Sequence, residues 1–142
     1  MRVALFVHCY YPGHFYGTES YTRTLARELA ALGHEPVVVT ATFPGETPQA
    51  TLVERYTFDG IPVIRIDRNV HPNAGVGDTF DLPALRFVHE RVLRGVAPDL
   101  VHVCHLINHT AALLEVTQRL NLPTVATFTD FFGFCYNNKL SA

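Results

Sequence analysis

Five of the eight histidines of this 142-residue chain, His8, His14, His102, His105 and His109, fall at or beyond the ends of two apolar runs, residues 2–8 and 99–105. Imidazoles so placed can hold a metal or bond a substrate near neutral pH. His102, Cys104 and His105 have metal-ligand chemistry, but alternate residues of a strand point to opposite faces, so His102 and His105 cannot share an ion without distortion. His102 is expected to be a core histidine satisfied by a backbone carbonyl, and His105 to end its strand facing a cleft. Gly13 and Gly17, in the sequence PGHFYGTE, allow close backbone approach, and Gly17 or Thr18 can cap a following helix whose free amides attract phosphate. A flexible loop with an ordinary cap is the other reading. The spacing is neither GxGxxG nor GxxxxGK[ST], which argues against a dinucleotide-binding enzyme and a P-loop NTPase. Asp130 directly follows the apolar run 123–129 and is flanked by Phe128, Phe131 and Phe132. Such a carboxylate can bind a hydroxyl or cap a helix. No GxSxG or HExxH is present.

These residues need a scaffold, and the order of patterns supplies one. Residues 2–8 are an apolar strand, 9–18 a loop, Tyr21, Leu25, Leu29 and Leu32 recur at helical spacing, Gly33 punctuates, and 36–41 is apolar and β-branched. That is a βαβ unit, which puts the 9–18 loop at the carboxyl edge of a parallel sheet, where open α/β folds bind ligands. Runs 52–58 and 61–66 flank Asp59-Gly60, a hairpin signal. A helix is predicted over 82–93, ended by Gly95 and Pro98, then a strand over 99–105, a helix over 110–120 and a strand over 123–129. The predicted fold class is α/β, a three-layer Rossmann-like sandwich with a mainly parallel sheet and an added β-hairpin. One domain spans the chain.

Composition narrows the function classes. Eleven Lys+Arg against thirteen Asp+Glu give a net charge of −2 without a basic stripe, which disfavours nucleic acid as a partner. The first apolar run is too short for a signal peptide and continues into a loop and helix, and no stretch approaches a membrane span. Three cysteines, Cys9, Cys104 and Cys135, lack a CxxC pair, so free thiols and a cytoplasmic location are expected. Aromatic residues after Asp130 have no later chain to cover them, which reads as a truncated molecule prone to self-association.

Four segments in order, RVALFVHCYYP, YGTESYTRTLARELAALGHEPVVVT, PDLVHVCHL and LPTVATFTDFFGFC, resemble the N-terminal domain of family 4 retaining glycosyltransferases, which have the two-lobed GT-B fold. Gly17 and Glu19 match the second glycine and the acid of the family's GGxE loop, and Tyr16 replaces its first glycine. Cys104 stands at the first of the last two histidines of a DVVHxHH-like strand motif, and His105 keeps the second. Thr129 occupies a position where many relatives carry histidine just before the retained Asp130, and it can offer only a hydroxyl there.

The resemblance implies one lobe of a sugar transferase. Gly17 and Thr18 are expected beside the donor diphosphate, His14, Tyr16, Glu19 and His105 in the acceptor pocket, and Asp130 and Thr129 at the reacting sugar. It implies a nucleotide-sugar donor, a hydroxyl-bearing acceptor, a C-terminal lobe that this chain lacks, no metal or other cofactor, and room for peripheral membrane contact in the full-length protein. Without that lobe the fragment is expected to be inactive. The competing expectation is a non-catalytic Rossmann-like module that binds a nucleotide, sugar or protein, since fold alone does not decide function.

Overall fold

The computed structural model describes residues 1–133. Its six strands and three α-helices run β1 (Arg2–Phe6), α1 (Gly17–Ala31), β2 (Glu35–Ala41), β3 (Val53–Phe58), β4 (Ile61–Ile66), α2 (Leu85–Val96), β5 (Leu100–Val103), α3 (Ala112–Arg119) and β6 (Thr124–Ala126), with a short 3-10 turn at Val76–Thr79. They form one sheet in the order β3-β4-β2-β1-β5-β6. β1, β2, β4, β5 and β6 are mutually parallel, and β3 alone runs antiparallel, against β4. The expected mainly parallel sheet with a hairpin at one edge is what forms. Asp59 and Gly60 turn that hairpin with φ of 52° and 74°, the left-handed pair that matches strand twist.

Alternation along β1 builds both cores. Val3, Leu5 and Val7 pack with Val38, Val63 and Ala26 of α1, whereas Ala4 and Phe6 pack with Ile64, Val101, Val88 of α2 and Leu113 of α3. One helix therefore covers one face and two cover the other, giving three layers. Five apolar side chains of β1 and its continuation, Val3 to Val7, are at most 1% exposed, which explains why the run lacks polar alternation. α1 ends as its sequence predicts: Gly33 takes φ 85°, its N–H reaches Ala30 O at 3.0 Å, and His34 N–H reaches Leu29 O at 2.9 Å.

Several boundaries depart from expectation. The regular parts of β1, β5 and β6 stop short of residues 8, 105 and 129. Single bonds persist there, Val7 N–H to Val39 O at 3.0 Å, Cys104 N–H to Phe6 O at 2.8 Å and Thr127 N–H to Val103 O at 3.0 Å. α2 begins at Leu85, after Pro83, and runs through Gly95 to Val96 before Ala97 closes it with φ 49°. The cap of α1 is Tyr16 in extended conformation without a side-chain bond, not Gly17 or Thr18. Those two occupy the first turn itself. Of the aromatic tail, Phe128 and Phe131 are exposed and Phe132 stacks on Phe80 at 5.9 Å. Phe134, Cys135 and Tyr136 lie outside the described residues.

The topology changes direction at β1. The chain winds outward through β2 and β4, then returns to pair β5 on the other side of β1. The loops that follow β1 and β5 consequently lead to opposite sides, and a crevice opens between them.

Candidate functional site

That crevice holds a cleft of about 360 Å³ walled by His8, His14, Gly17, Glu19, Phe43 and Asp130. A wider groove of about 730 Å³ lies at the other end of the sheet, lined by Arg2, Glu35, Gly60 and Ile61 where strands begin. Position at the switch point, rather than size, marks the first as the candidate site.

The first turn of α1 forms one wall. Gly17 is a helical residue, and a Cβ built on Gly13 or Gly17 would meet nothing within 4 Å, so the fold itself does not require glycine there. Any such requirement comes from a ligand. Thr18 leans across the cleft, its hydroxyl 2.6 Å from that of Thr129. Glu19 points inward, 2% exposed, and accepts a bond from the Cys9 thiol at 2.9 Å. Burial, and then this bond, push the Cys9 thiol far up, so it stays protonated. Tyr16 is 73% exposed at the rim, stacked on Phe15 with centroids 5.6 Å apart. His14 is tied by Nε2 to Glu46 at 2.8 Å, and Glu46 in turn accepts from the Phe43 N–H at 3.0 Å.

The opposite wall comes from β5 and β6. His105 is 6% exposed, and its Nε2 lies 2.6 Å from Asp130 Oδ2. The other oxygen, Oδ1, accepts from the Phe132 N–H at 3.0 Å, so Asp130 caps a turn and faces the cleft at once. His8 packs against His105 with centroids 4.3 Å apart and the rings tilted by 44°, and its buried Nδ1 meets no partner among the described residues. Burial, aided by the neighbouring His105, lowers the His8 imidazole to about 4, which leaves it neutral in the cleft.

The other histidines do structural work. His102 is half-buried and bonds the Thr127 hydroxyl at 2.9 Å, not a backbone carbonyl; Tyr21 OH donates to the same hydroxyl at 3.1 Å. The carbonyl-satisfied core histidine is instead His109, whose Nε2 bonds Val7 O at 2.8 Å and whose Nδ1 faces His89 Nε2 at 3.2 Å. Of the residues singled out from sequence, His14, Tyr16, Gly17, Thr18, Glu19 and Asp130 line the cleft, Tyr16 at its exposed rim. Thr129 reaches it through the Thr18 hydroxyl, and His105 stands behind Asp130.

The sequence profile of Glycosyltransferase Family 4 matches residues 15–139, which run from the first turn of α1 past Asp130. The chain belongs to this family. It is 30% identical over 135 residues to a GDP-mannose-dependent alpha-mannosyltransferase of Mycobacterium tuberculosis, over 94% of this chain and 34% of that protein. The same figures hold for the protein of that description in Mycolicibacterium smegmatis. The chain thus spans about a third of the length of the curated relatives it matches. A crystal structure of a predicted subunit of tRNA methyltransferase from Methanocaldococcus jannaschii aligns over 97% of this chain and 71% of that one, at 18% identity and a TM-score of 0.35, too loosely to bear on function.

Two features of this family member escaped sequence reasoning. Arg68, one residue beyond Asp67 after β4, is 1% exposed and donates to the carbonyls of Asn108 and His71 and to Asn73 Oδ1. Asn108, at φ 69°, donates in turn to the His8 carbonyl at 3.0 Å, so Arg68 braces the loop behind the cleft. A basic residue just past a parallel strand was the available signal. The second is the group His8, Cys9 and Glu19, whose ligand atoms lie within 4.8 Å of one another. Cys9 and Glu19 already satisfy each other, and a protonated thiol is a poor ligand, so these residues do not form a ready metal site.

Proposed function

We propose that this chain is the acceptor-side lobe of a retaining GT-B glycosyltransferase that moves a hexosyl group from a nucleotide-sugar to a hydroxyl acceptor. Family membership supports sugar transfer. The observation that carries the finer reading is the convergence of the first turn of α1 with Asp130 across one cleft at the sheet's carboxyl edge. The amides of Gly17 and Thr18 precede any intrahelical partner and suit the donor diphosphate. Asp130 accepts the acceptor hydroxyl's hydrogen bond, Thr129 holds the adjoining loop to α1, and His14, Tyr16 and Glu19 shape the pocket. Donor specificity belongs to a second lobe, and closure of the two excludes water.

In this reading the bond from the anomeric carbon to the diphosphate oxygen breaks while the acceptor oxygen bonds the same face. The acceptor proton leaves on the diphosphate. No metal is required, because amides and cationic side chains offset the leaving charge. The free thiols of Cys9 and Cys104 suit a reducing, cytoplasmic setting. Among the described residues no helix is long and apolar enough to cross a membrane, and any membrane contact in this reading is peripheral.

GDP-mannose, named for both mycobacterial relatives, is the first donor to test, with a panel of alcohols as acceptors. The full-length protein is expected to release nucleotide only when an acceptor is present. Asp130→Ala is expected to cut kcat by about 100-fold or more, the scale of misplacing a reacting group by about 1 Å. Binding of nucleotide-sugars without turnover under every acceptor would support a binding module instead.

A further inference from the structure

Both ring nitrogens of His105 are already engaged within the protein. The Ile107 N–H donates to Nδ1 at 3.1 Å, so Nδ1 bears no proton and the neutral ring carries its hydrogen on Nε2. Nε2 therefore donates to Asp130 Oδ2 at 2.6 Å. The ring is pinned from two further sides, by His8 at 4.3 Å and Phe132 at 5.4 Å between centroids. Its side chain is 4% exposed against 32% for Asp130. A sugar acceptor thus meets the carboxylate and not the imidazole.

We propose that His105 is a positioning residue, which orients the Asp130 carboxylate toward the acceptor through Nε2 and does not itself touch substrate. This rests on the role proposed for Asp130. Its geometry has the logic of an oriented catalytic pair with the order reversed, the histidine holding and the carboxylate acting. The backbone N–H of Ile107 sets the tautomer, the tautomer sets the direction of the bond, and the bond fixes one Asp130 oxygen while Phe132 N–H fixes the other. Misplacement of a reacting group by about 1 Å can cost on the order of 100-fold in rate, so such fixing matters.

Two substitutions separate this from a packing role. Glutamine can place an N–H where Nε2 stands, whereas asparagine reproduces only the inner nitrogen and falls short of Asp130. In the full-length enzyme, His105→Gln is expected to keep kcat within about fivefold of wild type and His105→Asn to lose about 100-fold, both with acceptor KM changed less than about threefold. In an Asp130→Ala background, neither substitution is expected to lower kcat by more than about twofold further, because residues acting through one group are not additive. Should His105→Asn not fold, His105→Ala, expected to lose about 100-fold in the wild-type background and no more than about twofold beside Asp130→Ala, carries the same contrast. Equal losses for both single variants, a dominant rise in acceptor KM, or a further tenfold loss beside Asp130→Ala overturns the inference. Wild-type kcat for Asp130→Ala alone overturns the proposed role of Asp130 as well, which distinguishes the two failures.

Discussion

The hydroxyls of Thr18 and Thr129 lie 2.6 Å apart and join the first turn of α1 to the loop after β6, across 111 positions of sequence. Each belongs to a different wall of the cleft. Their bond ties the first turn of α1 to the loop that carries Asp130, and in the proposed reading it sets the separation between donor diphosphate and acceptor hydroxyl.

Removing that link is therefore expected to slow transfer more than it loosens the fold. A hydroxyl bond contributes about 1 kcal/mol, equivalent to roughly fivefold in rate. Thr129→Val is expected to lower kcat by about that factor and Thr129→Ser to restore it. The double change Thr18→Val, Thr129→Val should be no worse than either alone. Additive losses in steady-state assays would show that the two hydroxyls act independently.

This bond also shows where sequence reading stops. The βαβ opening, the Asp59-Gly60 hairpin and the ending of α1 at Gly33 are written in local chemistry, in periodicity, glycine dihedrals and apolar runs, and each forms as read. A contact between Thr18 and Thr129 depends on two loops meeting after the sheet has formed, and neither residue's neighbours announce it. Glu19 is similar: a surface acid by composition, it is buried because Cys9 happens to donate to it. His102 misses its expected carbonyl and His109 finds one for the same reason, since which histidine meets a carbonyl depends on where the turn after β5 carries it.

Stability is expected to fall as pH drops from about 6.5 to 4. Burial lowers His8 to about 4, His109 to about 3 and His89 well below its usual value. The unfolded chain takes up these protons near pH 6.5 and the folded chain does not, so unfolding gains protons across that window. Each histidine contributes a slope of at most about 1.4 kcal/mol per pH unit. Asp67 and Glu90, whose carboxyls are lowered, lose their contributions only below about pH 4.5. Thermal melts from pH 7 to 4 should show the decline, and it should shrink in His109→Gln. A Tm that is flat over this range would mean that the buried rings are not held neutral.

Arg68 should be hard to replace. Its guanidinium donates to three acceptors on two segments, the loop after β4 and the loop after β5, and lysine offers a point charge that cannot fork among them. Arg68→Ala leaves the buried Asn108 carbonyl unmatched and opens a void where the guanidinium packed, and a loss of about 3 kcal/mol in denaturant unfolding is expected, with Arg68→Lys recovering less than half. Full recovery by lysine would reduce the role of Arg68 to charge alone.

Residues 1–142 by themselves are expected to fold but not to transfer sugar. Folding follows from the two apolar clusters on either face of the sheet, which join β1 through β5 and the three helices into one body. Inactivity is expected because, in the proposed reading, transfer needs a second lobe to close over the cleft, and none is present among the described residues. Holding both reactants in register is worth factors of about 10⁵ or more in effective concentration. An open cleft forfeits most of that and admits water. Incubated with GDP-mannose and alcohol acceptors beside a full-length mycobacterial mannosyltransferase, the 142-residue chain should release nucleotide at least about 10⁴-fold more slowly, while circular dichroism reports a cooperative melt. Turnover within about tenfold of the full-length enzyme would show that one lobe suffices and that the proposed division of labour between lobes is mistaken.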